Sequence, residues 1–383
     1  MGTVEQRTWL WRLPAMQALV GVTTLGFASY CLTLGSLPTY AVLGGASAAT
    51  AGLVTAVMLL VTILVQGTVP ALTARFGQPP VLVAGLLAMG VPSPLYAVDD
   101  GLGWLCALSA VRGAGFAVLT VLGSTLAAQV APADRRGESI GIYGLAIAVP
   151  NLVAIPAGVA LVLAEHEAVM AWLAASPVLG ILLVPVLTRA VGRRAERPPS
   201  GSGCAAALAA VLPSVVLFVV TLAGGGVVTF LPIERPEGST ATAALLLFGV
   251  TAAISRWRAG LLADRLGGRG LLTASVVVAA AGMVLLAVGL LTADPVLLLG
   301  AAVAGAGYGA TQNLTLLVAF ARAGEQGTTS ASAVWNAAFD SGTAAGAALL
   351  GLVAAGTGLP AAYVLCAVLL ALVLPFAVRS GRP

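Results

Sequence analysis

Two residues that carry full charge lie inside long apolar stretches of the chain, Arg112 and Asp340. An ionisable side chain at membrane depth is costly and faces protein or a wet cavity, so each is a candidate for function. Desolvation disfavours the charged form of a carboxylate. Asp340 can therefore hold a proton at working pH, and access from alternating sides would make it a proton carrier. On helical spacing Thr329, Ser332 or Ala333, Asn336, Asp340 and Thr343 share one face. A second stripe is Thr55, Thr62 and Gln66, and a third is Tyr308, Gln312 and Thr315. Amides and hydroxyls in such stripes suit a substrate with hydrogen-bonding groups. The plainer reading is polar contact between helices, typically about 0.6 kcal/mol each. That explains Thr and Ser well and a mid-helix carboxylate poorly. For Arg112 two readings stay open: proton coupling, or a guanidinium that only satisfies carbonyls of a neighbouring helix. Trp335 and Phe339, at i and i+4, read as a packing pair.

Other chemistries lack their residues. The sequence holds no phosphate-binding loop, no H-E-x-x-H and no G-x-S-x-G. Cys31, Cys106, Cys204 and Cys366 are far apart, with no metal-ligand or redox spacing. The single histidine, His166, lies between Glu165 and Glu167 in a short loop. No metal, no cofactor and no enzymatic activity are expected, and with no nucleotide-binding segment no ATP-driven step is expected of this chain alone.

The elements that hold these residues follow from composition. The chain of 383 residues is 59% hydrophobic and 8% charged, with mean hydropathy +1.04. Soluble domains carry about a quarter charged residues, so this is an integral membrane protein. A helix needs about 20 apolar residues to span the hydrocarbon core. Twelve runs qualify: 13–37, 46–71, 79–97, 103–130, 137–163, 168–189, 205–231, 240–262, 269–291, 294–322, 328–354 and 358–379. Backbone groups in lipid must be satisfied within the segment, so runs of this length are helices and not strands. The first run is read as a span and not as a cleaved signal.

Charge sets the orientation. All eighteen basic residues are arginine. With the N-terminus inside, sixteen fall in cytoplasmic segments, including Arg75, Arg135, Arg136, Arg256, Arg258, Arg265 and Arg322, and only Arg235 falls outside. That satisfies the positive-inside rule and explains the basic balance without nucleic acid. Both termini are thus expected in the cytoplasm, and the membrane is expected to be a bacterial-type cytoplasmic (inner) membrane. The acidic loops Asp99-Asp100 and Glu165-His166-Glu167 lie on the other side. The longest polar break divides the chain into an N-terminal six-helix bundle (1–189), a cytoplasmic linker (190–204) and a C-terminal six-helix bundle (205–383).

The halves repeat. Gly260-Leu261-Leu262-Ala263-Asp264-Arg265-Leu266-Gly267-Gly268-Arg269 has a weaker copy in Pro70-Ala71-Leu72-Thr73-Ala74-Arg75-Phe76-Gly77-Gln78. Arg75 maps onto Arg265 and Gly77 onto Gly267, while Ala74 stands where the Asp should be. At nearly the same offset, Gly113-Ala114-Gly115-Phe116 corresponds to Gly305-Ala306-Gly307-Tyr308. The pattern G-x-L-a-D-R-x-G-r resembles the cytoplasmic signature loop of the major facilitator superfamily, found after the second helix and again after the eighth. Arg112-Gly113 is similar to that family's helix-four pattern, and Ile155-Pro156-Ala157-Gly158 is a loose copy of the antiporter subgroup's Gly-Pro signature.

The resemblance implies an all-α membrane protein of twelve transmembrane helices, two six-helix bundles related by pseudo-twofold symmetry. It implies alternating access, with helices one, four, seven and ten lining a central cavity. That would set Gln17, Thr24 and Thr221 beside Tyr308, Gln312, Thr315 and Asn336. It also implies that the signature residues Gly260, Asp264, Arg265, Gly267, Arg269, Arg75 and Gly77 form a conformational latch. In that latch the loop after helix eight braces the start of helix five at Gly137-Glu138-Ser139, and Glu138 competes with Asp264. The expected function is proton-coupled export of a small organic molecule by a monomer in the bilayer. The alternatives are import of a nutrient by a symporter or facilitator, and a non-transporting sensor on the same scaffold.

Overall fold

The computed structural model describes residues 9–191, 202–234, 239–266 and 269–380. Every regular element among them is a helix. The N-terminal six are α1 (Pro14–Leu43), α2 (Ala48–Gln66, continued past a 53° bend by Val69–Phe76), α3 (Gln78–Gly90, then the turn Ser93–Ala97), α4 (Leu102–Val130), α5 (Arg136–Leu163) and α6. The last is broken into Glu167–Leu173, Pro177–Gly180, Ile181–Leu183 and Val184–Val191. The second six are α7 (Ser202–Glu234), α8 (Ser239–Leu266), α9 (Arg269–Leu291), α10 (Asp294–Ala323), α11 (Thr328–Thr357) and α12 (Leu359–Ser380). Most of the expected linker 190–204 lies outside the described residues.

Among the described residues ten of these helices are long and apolar enough to cross a membrane, and bent α2 makes eleven. The remaining one, α10, has 30 residues but carries Thr311, Gln312, Asn313 and Thr315 in its buried face. Leucines such as Leu64, Leu182, Leu208, Leu291 and Leu352 stand exposed around the outside. So much outward apolar surface belongs in lipid and not in water.

The internal repeat has a packing cause. In the first half α1 packs on α5, α2 on α4 and α3 on α4; in the second, α7 packs on α11, α8 on α10 and α9 on α10. The paired glycine motifs make the crossings close. A Cβ on Gly113 of α4 would strike the carbonyl of Met58 in α2, and one on Gly305 of α10 would strike that of Phe248 in α8. The following glycines, Gly115 and Gly307, meet α3 at Gly85 and Met89 and α9 at Ala279. Each G-A-G therefore turns one small residue to each of two neighbours, the usual way membrane helices approach closely.

The halves meet through a shared apolar core at one end. One apolar cluster joins Leu126, Ala131 and Ile140 of the first half to Leu316, Phe320 and Ala331 of the second. It lies at the end that carries Arg75, Arg135, Arg136 and Arg265, here called the arginine-rich end. At the opposite, acidic end the cluster around Leu37, Ala51, Tyr96, Leu105 and Met170 draws on the first half alone.

Candidate functional site

Asp340 sits three turns into α11 and is partly exposed. Its Oδ2 accepts a hydrogen bond from Gln66 Nε2 at 2.7 Å. Gln66 closes the straight part of α2, is fully buried, and also donates to Thr120 Oγ1 of α4 at 3.3 Å. Its Oε1 is buried without a partner among the described residues. One turn along α11 toward the arginine-rich end, Asn336 donates to Ser124 Oγ at 3.2 Å and to Thr120 O at 3.4 Å, and Ser332 bonds Ser124 and Val121 O. The stripe of α11 thus faces α2 and α4 of the other half. The Trp335 and Phe339 rings stack with centroids 5.8 Å apart.

Arg112 is not near Asp340. It lies in the part of α4 nearer the acidic end, fully buried, with every nitrogen engaged. Nε donates to Met89 O at 3.0 Å, Nη1 to Thr33 Oγ1 at 2.9 Å and Tyr96 OH at 3.4 Å, and Nη2 to Ser29 O at 3.1 Å and Ser29 Oγ at 2.8 Å. A guanidinium has five N–H groups, and five acceptors on α1, α3 and the turn after α3 meet them. Its plane also lies over the Tyr96 ring at 5.3 Å. This is the geometry of a tie between helices.

The buried cation that sequence reasoning missed is Arg256. Its place near the end of α8 groups it with the cytoplasmic arginines, yet it is 7% exposed. Nη1 donates to Gln312 Oε1 at 2.9 Å, and Nε is buried without a partner among the described residues. The signal was available in the spacing: Arg256, Gly260 and Asp264 follow one another at i, i+4 and i+8, on the face of α8 that meets α5. Tyr143 and Tyr308 lie within electrostatic range of both Arg256 and Asp340.

The remaining cavity candidates scatter. Tyr308 is partly exposed and packs on Phe248, ring centroids 5.2 Å apart. Thr315 accepts from Trp335 Nε1 at 3.0 Å. Thr24 approaches Ala146 O at 3.5 Å. Thr221 is buried, bonds Phe218 O at 3.1 Å and packs against Gly342 of α11. Gln17 is exposed near the arginine-rich end of α1, one turn before Gly21, which abuts Leu183 of α6.

At the arginine-rich end Asp264 reaches the start of α5. Oδ1 accepts from Gly137 N at 2.9 Å and Oδ2 from Glu138 N at 2.8 Å. The first turn of a helix has unpaired N–H groups and partial positive charge, so a carboxylate there is stabilising. Glu138 does not contend for that position: its side chain pairs with Arg135 at 2.7 Å. Gly260 and Gly137 cross backbone to backbone with no room for a Cβ on either. Nearby, Arg136 pairs with Glu325 at 2.8 Å. The first copy of the loop has no matching carboxylate. Ala74 and Arg75 are exposed, Arg75 lies over the Phe76 ring at 5.1 Å, and Gly77 turns the chain at φ 84°. That backbone region suits glycine. Arg265 is exposed, Gly267 lies outside the described residues, and the Arg269 side chain does too.

A family model described as Major Facilitator Superfamily matches residues 18–342. No curated protein matches in sequence. Several solved structures share the fold. FucP, described as a Major Facilitator Superfamily transporter in the outward conformation, superposes with TM-score 0.78 at 13% identity, covering 98% of this chain and 100% of that one. A second structure of it is described as the E. coli fucose:proton symporter. The human organic anion transporter MFSD10 (TETRAN) gives 0.76 at 16% identity, over 95% and 99%. The proton:xylose symporter XylE bound to 6-bromo-6-deoxy-D-glucose gives 0.74 at 16%, over 95% and 94%. At such identities the likeness is one of fold.

Proposed function

The chain belongs to the major facilitator superfamily, and from that premise we propose that it is a proton-coupled secondary transporter of a small organic molecule, working by alternating access with Asp340 as its proton site. One observation carries the reading. Asp340 is a mid-helix carboxylate, part of it open, whose described partner is a neutral amide from the opposite half and not a cation. A carboxylate locked to a guanidinium stays ionised, whereas one held by an amide is free to gain and lose a proton as its surroundings change. The orphaned Oε1 of Gln66 supports this, because a turned amide would give a protonated Asp340 an acceptor. Arg112, with its donors filled, serves structure in this reading.

Export in exchange for protons is the first form of the cycle. Import together with a proton is the second. The arginine-rich end is assigned to the cytoplasm, the latch residues brace that end, and the unit is a monomer. Single cysteines at Glu165 and Glu325 should then label from opposite sides of the membrane.

The test begins with a thermal-shift screen of small organic compounds, since binding to the folded state raises apparent stability. Hits are then assayed in proteoliposomes under an imposed pH gradient. Wild type should concentrate the compound, and the sign of the gradient that drives it gives the direction. Asp340→Asn should still exchange labelled for unlabelled compound at equal concentrations but should not concentrate it. If Asp340→Asn concentrates the compound as wild type does, Asp340 is not the proton site.

A further inference from the structure

We propose that Arg256 is the docking point for the carboxylate of the transported molecule, which is therefore a small organic monoanion. The inference deepens the transporter reading above and rests on it only for the word transported.

The two buried arginines of this chain make the case by contrast. Arg112 has an oxygen within hydrogen-bond distance for each of its five N–H groups. Arg256 is almost as deeply buried, yet among the described residues one hydrogen bond leaves its side chain, from Nη1 to Gln312. Its Nε has no partner, and no acidic side chain forms an ion pair with it. The groups facing it are the neutral phenols Tyr143 of α5 and Tyr308 of α10, the Gln312 amide, and the bare backbone of Gly144. A buried cation without a counter-ion is strongly unfavourable. Gln312 holds the guanidinium in place while leaving most of its fork unfilled. That fork matches a carboxylate, which it can bind through two parallel hydrogen bonds.

Charge narrows the class. Arg256 is a single cation with neutral neighbours, so a dianion such as a phosphate ester would keep an uncompensated charge. The surroundings narrow it further. Tyr308, one of the groups facing Arg256, packs on Phe248. Rings of this kind suit an apolar or aromatic body attached to the carboxylate. Carried with one proton on Asp340, such a monoanion moves no net charge.

The full-length chain in detergent, at fixed pH and ionic strength, is melted with benzoate or phenylacetate and with the neutral isosteres benzamide or phenylacetamide. The carboxylates should raise the melting temperature and the amides should not. Arg256→Gln should remove the difference, and Arg256→Lys should keep part of it. Gly144→Ala is the second variant, because its Cβ would stand 2.5 Å from Nε and 2.6 Å from Cδ and displace the guanidinium with its charge intact. It should weaken carboxylate binding by about tenfold or more, the scale of a lost charge-assisted hydrogen bond. Asp340→Asn should retain the full preference, so loss of coupling and loss of anion binding are separate results. If carboxylates and amides act alike on wild type, or if Arg256→Gln or Gly144→Ala keeps the preference, the assignment is overturned.

Discussion

Gln66 and Asp340 belong to different halves of the chain, and the 2.7 Å hydrogen bond between them holds α2 against α11. Ionised, Asp340 accepts a charge-assisted bond of about 1.5–3 kcal/mol; protonated, the contact falls to the neutral range of about 0.5–1.5 kcal/mol. Protonation therefore weakens closure of the arginine-rich end, and acid should open it. A change of about 1 kcal/mol alters a two-state ratio about fivefold. Spin labels at the exposed positions Asp134 and Gln326, one in each half, should show a growing long-distance population as pH falls from neutral to mildly acid. Asp340→Asn should show that population at both pH values. A wild-type distribution that ignores pH would contradict the gating role of this pair.

Asp264 gives a second prediction. Both its oxygens accept from the first N–H groups of α5, whereas the matching position in the first half is Ala74. A carboxylate at a helix start contributes about 0.3–1 kcal/mol, up to about 2 when partly buried. Asp264→Asn should move the same label pair toward the open arginine-rich end by a factor within the range of about 2 to 30. Ala74→Asp should move it the other way, by supplying the start of α11 with the missing acceptor. Unchanged distances in Asp264→Asn would reduce the loop to a tight turn.

The fold was legible because membrane constraints leave few choices. Apolar runs of the required length must be helices, and the G-A-G repeat marks the same crossings in both halves. Boundaries moved where the reason was local. The first span extends to Leu43, past Pro38, because α1 continues beyond its apolar stretch. The second and sixth spans break at Gly67 and around Pro177. The site was legible where one residue carried a strong cost, as with Asp340, and its contact stripe on α2 was visible as Gln66. It was less legible where location decided meaning. Arg256 and Arg258 are two residues apart and alike in composition; one is buried against Gln312 and the other stacks on Trp257 at 5.8 Å. The i, i+4, i+8 spacing of Arg256, Gly260 and Asp264 sets them apart in the sequence, and the packing of α5 on α8 gives that spacing its meaning.

The tie made by Arg112 predicts a loss of stability and not of coupling. Arg112→Leu removes five hydrogen bonds and leaves Ser29, Thr33 and Tyr96 hydroxyls and two carbonyls with fewer partners on α1, α3 and the turn after α3. A buried polar group left unsatisfied costs about 1–3 kcal/mol. The variant should express poorly and melt well below wild type, while whatever protein folds keeps its pH-dependent label distances. Normal stability with abolished coupling would return Arg112 to the proton pathway.

The crossing of α5 and α8 offers a steric test of alternating access itself. A Cβ on Gly137 would meet the carbonyl of Gly260 and, at 2.7 Å, Oδ1 of Asp264, all atoms of the opposite half. These are the three atoms nearest to that Cβ. When the arginine-rich end opens, that clash disappears, and alanine then favours the helix over glycine by about 0.5–1 kcal/mol. Gly137→Ala should therefore destabilise the closed state alone and leave the molecule folded, with the Asp134–Gln326 distances shifted to the open population. Gly158 supplies the control. A Cβ there would strike the backbone of Leu32 in α1, within the same half, in a contact that no relative movement of the halves relieves. Gly158→Ala should lower the melting temperature without moving the distances. If Gly137→Ala behaves as Gly158→Ala does, the two halves do not part at this crossing, and the transport cycle proposed for this chain has its moving interface elsewhere.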